Sequence, residues 1–176
     1  MFEKLKKLAG YYKPYKGLFF SDMFFAILGA AITLVIPLIV RYITSSVVEL
    51  PVSEATGIIV KLGIFMIALV AVEAFCNFYI AYYGHIMGAR IERDMRNEIF
   101  GHYQKLSFAF YDNQKVGHLL SRITADLFDI SELLHHGPED LVISIIKFAG
   151  AFGILVMVNE KLALAAFFFV PFLILY

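Results

Sequence analysis

The sequence predicts an all-α integral membrane protein whose long helices extend beyond the bilayer. Of its 176 residues, 60% are hydrophobic, and they include 18 Phe and 10 Tyr. This composition is too apolar for the large surface that a soluble domain of this size exposes to water. The apolar residues also fall into separate runs that suit membrane-spanning helices. The predicted spans are about 18–40, 58–88, 141–158 and 162–176.

The charge balance and the cysteine content exclude several classes of function. The chain has 15 Lys and Arg against 15 Asp and Glu, so its formal net charge is zero. This balance argues against a nucleic-acid partner. Its single cysteine, Cys76, forms no internal disulfide and no cysteine-based zinc or iron–sulfur site.

Residues 1–16 form a basic arm. The arm carries five lysines against one acidic residue, Glu3. Its pattern predicts a short amphipathic helix on the membrane surface, with Tyr11, Tyr12 and Tyr15 at headgroup depth. The following apolar run is too long for a signal peptide and lacks a small-residue cleavage pattern. It is therefore predicted to be the first span, with an outer loop at 41–56 after it.

A charged stretch at about 89–140 separates the second and third spans. On both sides of its middle, apolar residues recur every three or four positions, which predicts helices that pack on other helices rather than on lipid. These positions are Ile91, Met95, Ile99, Tyr103, Leu106, Leu120, Ile123, Leu127, Ile130 and Leu134. A helix over 58–106 is about 73 Å long at 1.5 Å per residue, whereas a bilayer core is about 30 Å thick. The stretch is therefore predicted to be a stalk in water that turns at a sharp corner, 108–115.

The distribution of basic residues predicts the orientation. The arm and the stalk carry most of the Lys and Arg, whereas the two opposite loops contribute Arg41 and Lys161. Basic loops stay on the cytoplasmic side. The N-terminus and the stalk are therefore expected to be cytoplasmic, in a multi-pass protein of the plasma (inner) membrane.

Two features follow the stalk. Gly137-Pro138 is expected to kink the returning helix or to begin a new one. The polar residues 159–161 are expected to turn the chain into its fourth helix. The last run, 162–176, is about 22 Å long as a helix, so the chain is expected to end inside that helix.

The corner and its flanks resemble the transmembrane domain of exporter-type ABC transporters. In that family an arginine-bearing run precedes a Phe-Phe-Asp-like corner, which is followed by a glycine, a Ser-Arg pair and an Asp four residues on. The matching residues here are Arg90, Arg96, Phe110, Tyr111, Asp112, Gly117, Ser121, Arg122 and Asp126. The resemblance covers essentially the whole chain, because the basic arm and the order of spans and loop lengths also match. It implies that residues 17–176 form an incomplete domain of this kind, with three spans and part of a fourth.

The resemblance implies a function and several partners. It implies a half-transporter that pairs with a second half-transporter, as a homodimer or a heterodimer, and with a nucleotide-binding domain in the same gene or in a separate chain. ATP and Mg²⁺ are implied for the complete protein. This chain contains no G-x-x-x-x-G-K-[ST] phosphate loop, and its sequence predicts no catalytic, cofactor or metal site.

By the same resemblance the corner is the first coupling helix. It is expected to lie on the nucleotide-binding domains and to convert their closure on ATP into alternating access of the substrate pathway. Phe108, Phe110 and Tyr111 are expected to anchor in a hydrophobic socket, and Gly117 to permit the turn. The full predicted coupling set is Phe108, Phe110, Tyr111, Asp112, Asn113, Gln114, Lys115 and Gly117.

Glu73 lies about 15 residues into the second span, where a carboxylate is costly and often functional. Two interpretations are open. It lines a substrate cavity together with Asn77, one helical turn on, or it makes an interhelical bond with a packing role. Asp22 and Lys147 lie nearer the membrane ends and are expected to snorkel or to pair locally.

Other polar and small residues are less specific. A stalk face carries residue types that bind metals, but solvent or the stalk arginines are its preferred neighbours. Its members are Asp129, Glu132, His136 and Glu139, with His135 beside them. The pair Gly84 and Gly88 has the G-x-x-x-G spacing that allows helices to pack closely.

Two other functions remain open on the residues alone. A secondary transporter would use Glu73 as an ion or proton site, although it would not need stalks of this length. A membrane scaffold without transport activity would bind a cytoplasmic protein through the stalk.

Overall fold

The computed structural model describes residues 2–112 and 114–175. These residues form helices joined by turns and short links, with no β-strand among them, which confirms the predicted all-α fold. The α-helices are α1 (Phe2–Gly10), α2 (Lys16–Tyr42), α3 (Val52–Tyr79), α4 (His85–Tyr103), α5 (Phe108–Asp112), α6 (Val116–Ser121), α7 (Leu127–Val158) and α8 (Glu160–Leu175). A 3₁₀ turn, Lys13–Tyr15, precedes α2.

Within the described part of the chain, three helical stretches are long and apolar enough to cross a membrane. They are Lys6–Val47, Val52–Tyr103 and Val116–Val158, of 42, 52 and 43 residues. The second and third each contain a π-helical turn, Ile80–Gly84 and Arg122–Asp126, that links two α-helices without ending the stretch. At 1.5 Å per residue the second stretch is about 78 Å long, so the predicted overlong helix is confirmed.

The second long helix begins earlier than the sequence predicted, at Val52 instead of 58. Pro51 stands directly before its first turn, and the Pro51 carbonyl accepts hydrogen bonds from the amides of Glu54 and Ala55, both at 2.9 Å. Proline suits the start of a helix because the N–H groups there have no partner within the helix, so the absence of one costs nothing. The predicted end at Leu106 is also wrong, because α4 ends at Tyr103.

The predicted turn at 159–161 is confirmed, and Asn159 caps the helix that follows it, α8. The Asn159 side-chain oxygen accepts hydrogen bonds from the amides of Lys161 at 3.0 Å and Leu162 at 3.2 Å. These amides have no partner inside the helix, so the cap stabilises its start.

Pro138 lies inside α7, which runs without interruption from Leu127 to Val158. The expectation that a new helix begins there is therefore wrong. Proline has no N–H to donate to the carbonyl four residues earlier, which belongs to Leu134. That carbonyl accepts a hydrogen bond from the Tyr12 hydroxyl instead. The arm thus supplies the donor that Pro138 lacks.

The described residues separate into two compact units. The stalk unit contains the residues up to Ala26 and Cys76–Leu141, and the span unit contains Ile27–Phe75 and the residues from Val142 onward. In the stalk unit a core of apolar residues joins α4 to α7, which confirms most of the predicted stripe. Its buried members are Met87, Ile91, Met95, Leu127 and Leu134.

Leu120 is an exception to the predicted stripe. Its side chain is 60% exposed, whereas its neighbour Leu119 is buried. The π-helical turn Arg122–Asp126 adds a residue to the helical repeat. The buried face therefore shifts by one position, which a regular helical period does not predict.

The tyrosines of the arm contact the stalk. The Tyr15 hydroxyl donates to the Asp94 carboxylate at 2.6 Å. Glu98 accepts hydrogen bonds from the Tyr11 hydroxyl and, at 3.3 Å, from Lys7 Nζ. These two bonds lower the pKa of Glu98 because they stabilise the charged carboxylate. The sequence placed the tyrosines at headgroup depth and did not predict these protein partners.

In the span unit, helices pack closely at a glycine, and large apolar side chains lie on the exposed surface. A Cβ added to Gly150 would lie 2.2 Å from Leu34 Cδ1, so α7 and α2 meet there through a glycine. Ile64, Ile67 and Phe168 are 64%, 72% and 65% exposed. Such side chains are typical of a surface that faces lipid.

Candidate functional site

The predicted corner is the short helix α5 between α4 and α6. Phe108 is 91% exposed, whereas Phe110 and Tyr111 are half-buried. The rings of Phe110 and Tyr111 meet edge to face with centroids 5.4 Å apart, and the Tyr111 hydroxyl donates to the Tyr103 carbonyl at 2.5 Å. Two of the three predicted anchors therefore brace the corner from within, and Phe108 is the one that projects outward.

The other described members of the predicted coupling set are also exposed. Asp112, Gln114, Lys115 and Gly117 are exposed. Asn113 lies outside the described residues.

Gly117 does not make the turn, contrary to the sequence prediction. It lies in the first turn of α6, after the extended residue Lys115. Among the described residues no glycine has a positive φ, and a Cβ on Gly117 would meet nothing within 4 Å. Lys115, directly before α6, has a ψ of 111°, which a non-glycine residue adopts freely.

We therefore expect Gly117→Ala to stabilise the protein by about 0.5–1 kcal/mol, since alanine restricts the unfolded chain and favours a helix. Thermal unfolding followed by circular dichroism measures this. A lower melting temperature would show that the turn needs glycine after all.

Of the predicted stalk motif, Arg96 makes the contact between helices. Its Nε donates to the Ile123 carbonyl at 3.3 Å, and its guanidinium also pairs with Glu92. Ile123 lies in the π-helical turn Arg122–Asp126, where the regular hydrogen-bond ladder is displaced. Arg96 thus ties α4 to the turn. The remaining motif residues, Arg90, Ser121, Arg122 and Asp126, are exposed.

In the span unit, Glu73 is half-buried and accepts a hydrogen bond from the Thr33 hydroxyl at 2.9 Å. This bond joins α3 to α2 and is the interhelical bond that the packing interpretation requires. Asn77, on the same helix, is exposed. A cavity-lining role for Glu73 and Asn77 stays a prediction.

A buried polar cluster lies in the stalk unit, formed by Asp22, His135 and Glu139. Their exposed fractions are 0%, 2% and 7%. The expectation that Asp22 snorkels or pairs locally is wrong, because it is enclosed and both of its carboxylate oxygens are without a hydrogen-bond partner. Its neighbours are two residues of α7, so tertiary packing and not local pairing sets its surroundings.

The cluster brings metal-ligating residue types together. Two triads of such residues occur. One consists of Asp22, His135 and Glu139, and the other of His85, His135 and His136. In each triad, one possible ligand atom per residue lies within 4.8 Å of those of the other two residues. Two residues of the stalk face that the sequence singled out do not belong to these triads. Asp129 is exposed, and Glu132 Oε2 lies 3.5 Å from His136 Nε2.

Sequence reasoning missed Asp22 and His85 as members of this cluster. The available signal was the position of Asp22 in an apolar run, since an ionisable residue there marks a functional candidate.

Glycines allow His135 to reach this position. A Cβ on Gly84 would lie 2.1 Å from His135 Cε1, and one on Gly88 would lie 3.3 Å from His135 Cβ. The predicted close packing at the G-x-x-x-G pair is thus confirmed.

Three helical stretches with the length and composition of membrane spans define the class of this protein, a multi-pass α-helical membrane domain. The family profile of the ABC transporter transmembrane region matches residues 19–176. The chain therefore belongs to the ABC transporter transmembrane family, as the corner motif predicted.

Named relatives agree with this assignment. The chain is 45% identical over 170 residues to YwjA of Bacillus subtilis strain 168 and 31% identical over 171 residues to YknU of the same strain, both named as ABC transporter ATP-binding proteins. It is 29% identical over 175 residues to a Staphylococcus aureus protein named for multidrug export and as an ATP-binding/permease protein. Each match covers 97% of this chain but only 29% or 30% of the relative. The chain thus spans less than a third of the length of these relatives.

Proposed function

We propose that this chain forms part of the substrate pathway of an ATP-driven ABC exporter and couples ATPase closure to alternating access through the corner at 108–115. Family membership supports the transporter part. The names of the relatives support a nucleotide-binding partner, because YwjA is named as an ATP-binding protein and the Staphylococcus aureus protein as an ATP-binding/permease protein.

The exposure of Phe108 is the observation that carries the coupling role. A phenylalanine that is 91% exposed at the tip of two long helices leaves a large apolar surface in water, and burial of such a surface is a main source of binding energy at interfaces. The corner beneath it is fixed by Tyr111 and Phe110. A corner that is held by internal contacts and presents one exposed apolar side chain suits an interface that must transmit force.

The stalk supplies a lever behind this anchor. The core between α4 and α7, together with the Arg96 bond to the Ile123 carbonyl, joins the two helices that leave the corner. A push on the corner then moves both helices as a unit instead of bending one of them.

The remaining assignments follow from the same proposal. The N-terminus and the stalk lie in the cytoplasm, where ATP is, because the basic residues concentrate there. ATP and Mg²⁺ bind on the nucleotide-binding domain, and a second half-transporter completes the pathway. Glu73 and Asn77 line this pathway within the plasma (inner) membrane.

The test uses Phe108→Ala in the transporter that contains this chain and its ATPase. A spin label at Gly101→Cys, where a Cβ meets nothing within 4 Å, reports the distance between the two stalks of the dimer before and after vanadate trapping. Native Cys76 is buried, so we expect the label to react with the introduced cysteine. Loss of an interface anchor costs about 2 kcal/mol or more. We therefore expect the Phe108→Ala variant to bind ATP normally but to lose most of the trapping-induced distance change.

Phe128→Ala is the matched control. Phe128 is also a phenylalanine of the stalk unit and is 53% exposed, but it lies on α7 outside the corner. Its variant should keep the full distance change. The coupling role would be wrong if Phe108→Ala behaved like this control.

A further inference from the structure

We propose that Asp22, His135 and Glu139 form a binding site for one divalent transition-metal ion of the Zn²⁺ type. The site lies in the stalk unit, away from the corner, and the proposal does not depend on the coupling role. The ion would tie α2, which carries Asp22, to α7, which carries the other two ligands.

The first argument is the number of unpaired polar atoms. Both oxygens of Asp22, Nδ1 of His135 and Oε2 of Glu139 are buried and have no hydrogen-bond partner. Buried polar atoms are almost always paired, and a bound ion is one of the few arrangements that explains a cluster of exceptions. All four atoms belong to the three residues whose donor atoms converge within 4.8 Å.

The second argument is charge. Two buried carboxylates that are both charged are strongly unfavourable without a cation. Among residues 2–112 and 114–175, no lysine or arginine forms an ion pair with Asp22 or Glu139. The basic groups that lie within 4.0 Å of Glu139 Oε2 are the imidazoles of His135 and His136. One divalent ion balances the two negative charges, and His135 then binds as a neutral ligand.

The third argument is the orientation of His135. Its Nε2 lies 3.1 Å from Nδ1 of His85, and its Nδ1 lies 4.0 Å from Oε2 of Glu139. If Nε2 carries the proton and donates it to His85, the lone pair of Nδ1 points to the carboxylates. A histidine ligand that donates its other ring N–H to a neighbour is the usual arrangement at metal sites, and His85 is then the positioning residue.

The donor set indicates the type of ion. One imidazole and two carboxylates suit Zn²⁺, with water as a fourth ligand. Tetrahedral bonds of about 2.1 Å hold ligand atoms about 3.4 Å apart, so the triad closes by roughly 1 Å when the ion binds.

The test is a Zn²⁺ titration of the full-length purified protein, stripped with EDTA and kept free of nucleotide, followed by calorimetry and by the melting temperature. We expect one Zn²⁺ at the triad of each chain and a higher melting temperature. Asp22→Asn and Glu139→Gln should each weaken binding at least tenfold and remove the thermal shift. His85→Phe should weaken it by about 10–100-fold, as loss of a positioning partner does.

Asp129→Asn is the matched control, because Asp129 is an exposed carboxylate on the same helix, and it should bind Zn²⁺ as the unaltered protein does. In EDTA, Asp22→Asn should be at least as stable as the unaltered protein because a buried charge is gone, which shows that the variant folds. The proposal is overturned if the unaltered protein does not bind Zn²⁺, or if Asp22→Asn and Glu139→Gln both bind it normally. Co²⁺ added to the unaltered protein gives a test without any substitution. An intense visible band supports the tetrahedral site, and its absence rejects it.

Discussion

Gly84→Ala is expected to destabilise the stalk unit by at least about 3 kcal/mol, at the upper end of the cost of overpacking a core. The new methyl group would lie 2.1 Å from Cε1, 2.8 Å from Nδ1 and 3.0 Å from Nε2 of His135. The imidazole cannot move into solvent without breaking its packing, because His135 is only 2% exposed. It would also lose its contact with His85. Thermal unfolding of the purified protein, followed by circular dichroism, measures the loss.

Two glycines on the same long helical stretch calibrate this result. A Cβ on Gly88 would lie 3.3 Å from His135 Cβ, so Gly88→Ala should have an intermediate effect. A Cβ on Gly63 meets nothing within 4 Å, so Gly63→Ala should be neutral or slightly stabilising. Equal melting temperatures for the Gly84 and Gly63 variants would contradict the packing described for His135.

Composition and periodicity were sufficient to predict the class and the main helices. Long apolar runs predicted the spans, and the recurrence of Ile91, Met95, Leu127 and Leu134 predicted the surface that joins the two stalk helices. These features depend on residues close together in sequence. A family motif at the corner then gave the correct family.

The errors come from effects that local patterns do not contain. A constant helical period predicts a buried Leu120, whereas the π-helical turn after it shifts the buried face to Leu119. Glycine is typical of turns, but Gly117 lies inside α6, after the extended residue Lys115.

The buried cluster was missed for a related reason. Asp22 and His135 are 113 positions apart, and only the packing of α2 against α7 within the stalk unit brings them together. A single charged residue in an apolar run indicates that a partner exists. It does not indicate which one.

Pro138 shows how such a distant contact decides local structure. The sequence predicted a kink or a new helix there, because a proline leaves the carbonyl four residues earlier without its donor. That carbonyl belongs to Leu134. The donor comes from Tyr12, which is 122 positions away. We therefore expect the hydrogen bonding of α7 at Pro138 to depend on the arm, a dependence that residues 134–138 alone do not reveal.

This dependence predicts a coupled pair of substitutions. Tyr12→Phe keeps the ring and removes only the hydroxyl, so the Leu134 carbonyl is left without a donor, at a cost of about 1–3 kcal/mol. Pro138→Ala restores an N–H four residues after that carbonyl. In the Pro138→Ala background, Tyr12→Phe should therefore cost much less, with a coupling of about 1 kcal/mol or more measured by a double-mutant cycle of unfolding free energies.

Tyr11→Phe is the control for this cycle. Tyr11 belongs to the same arm and donates its hydroxyl to Glu98, which lies on α4 and not beside Pro138. Its effect should be the same with proline or alanine at position 138. If Tyr12→Phe and Pro138→Ala are simply additive, the Tyr12 hydroxyl does not replace the donor that Pro138 lacks, and the unbroken course of α7 needs another cause. If only the Tyr12 pair is coupled, the arm is a structural part of the returning helix, because it completes the hydrogen bonding at the position where a proline would otherwise end it.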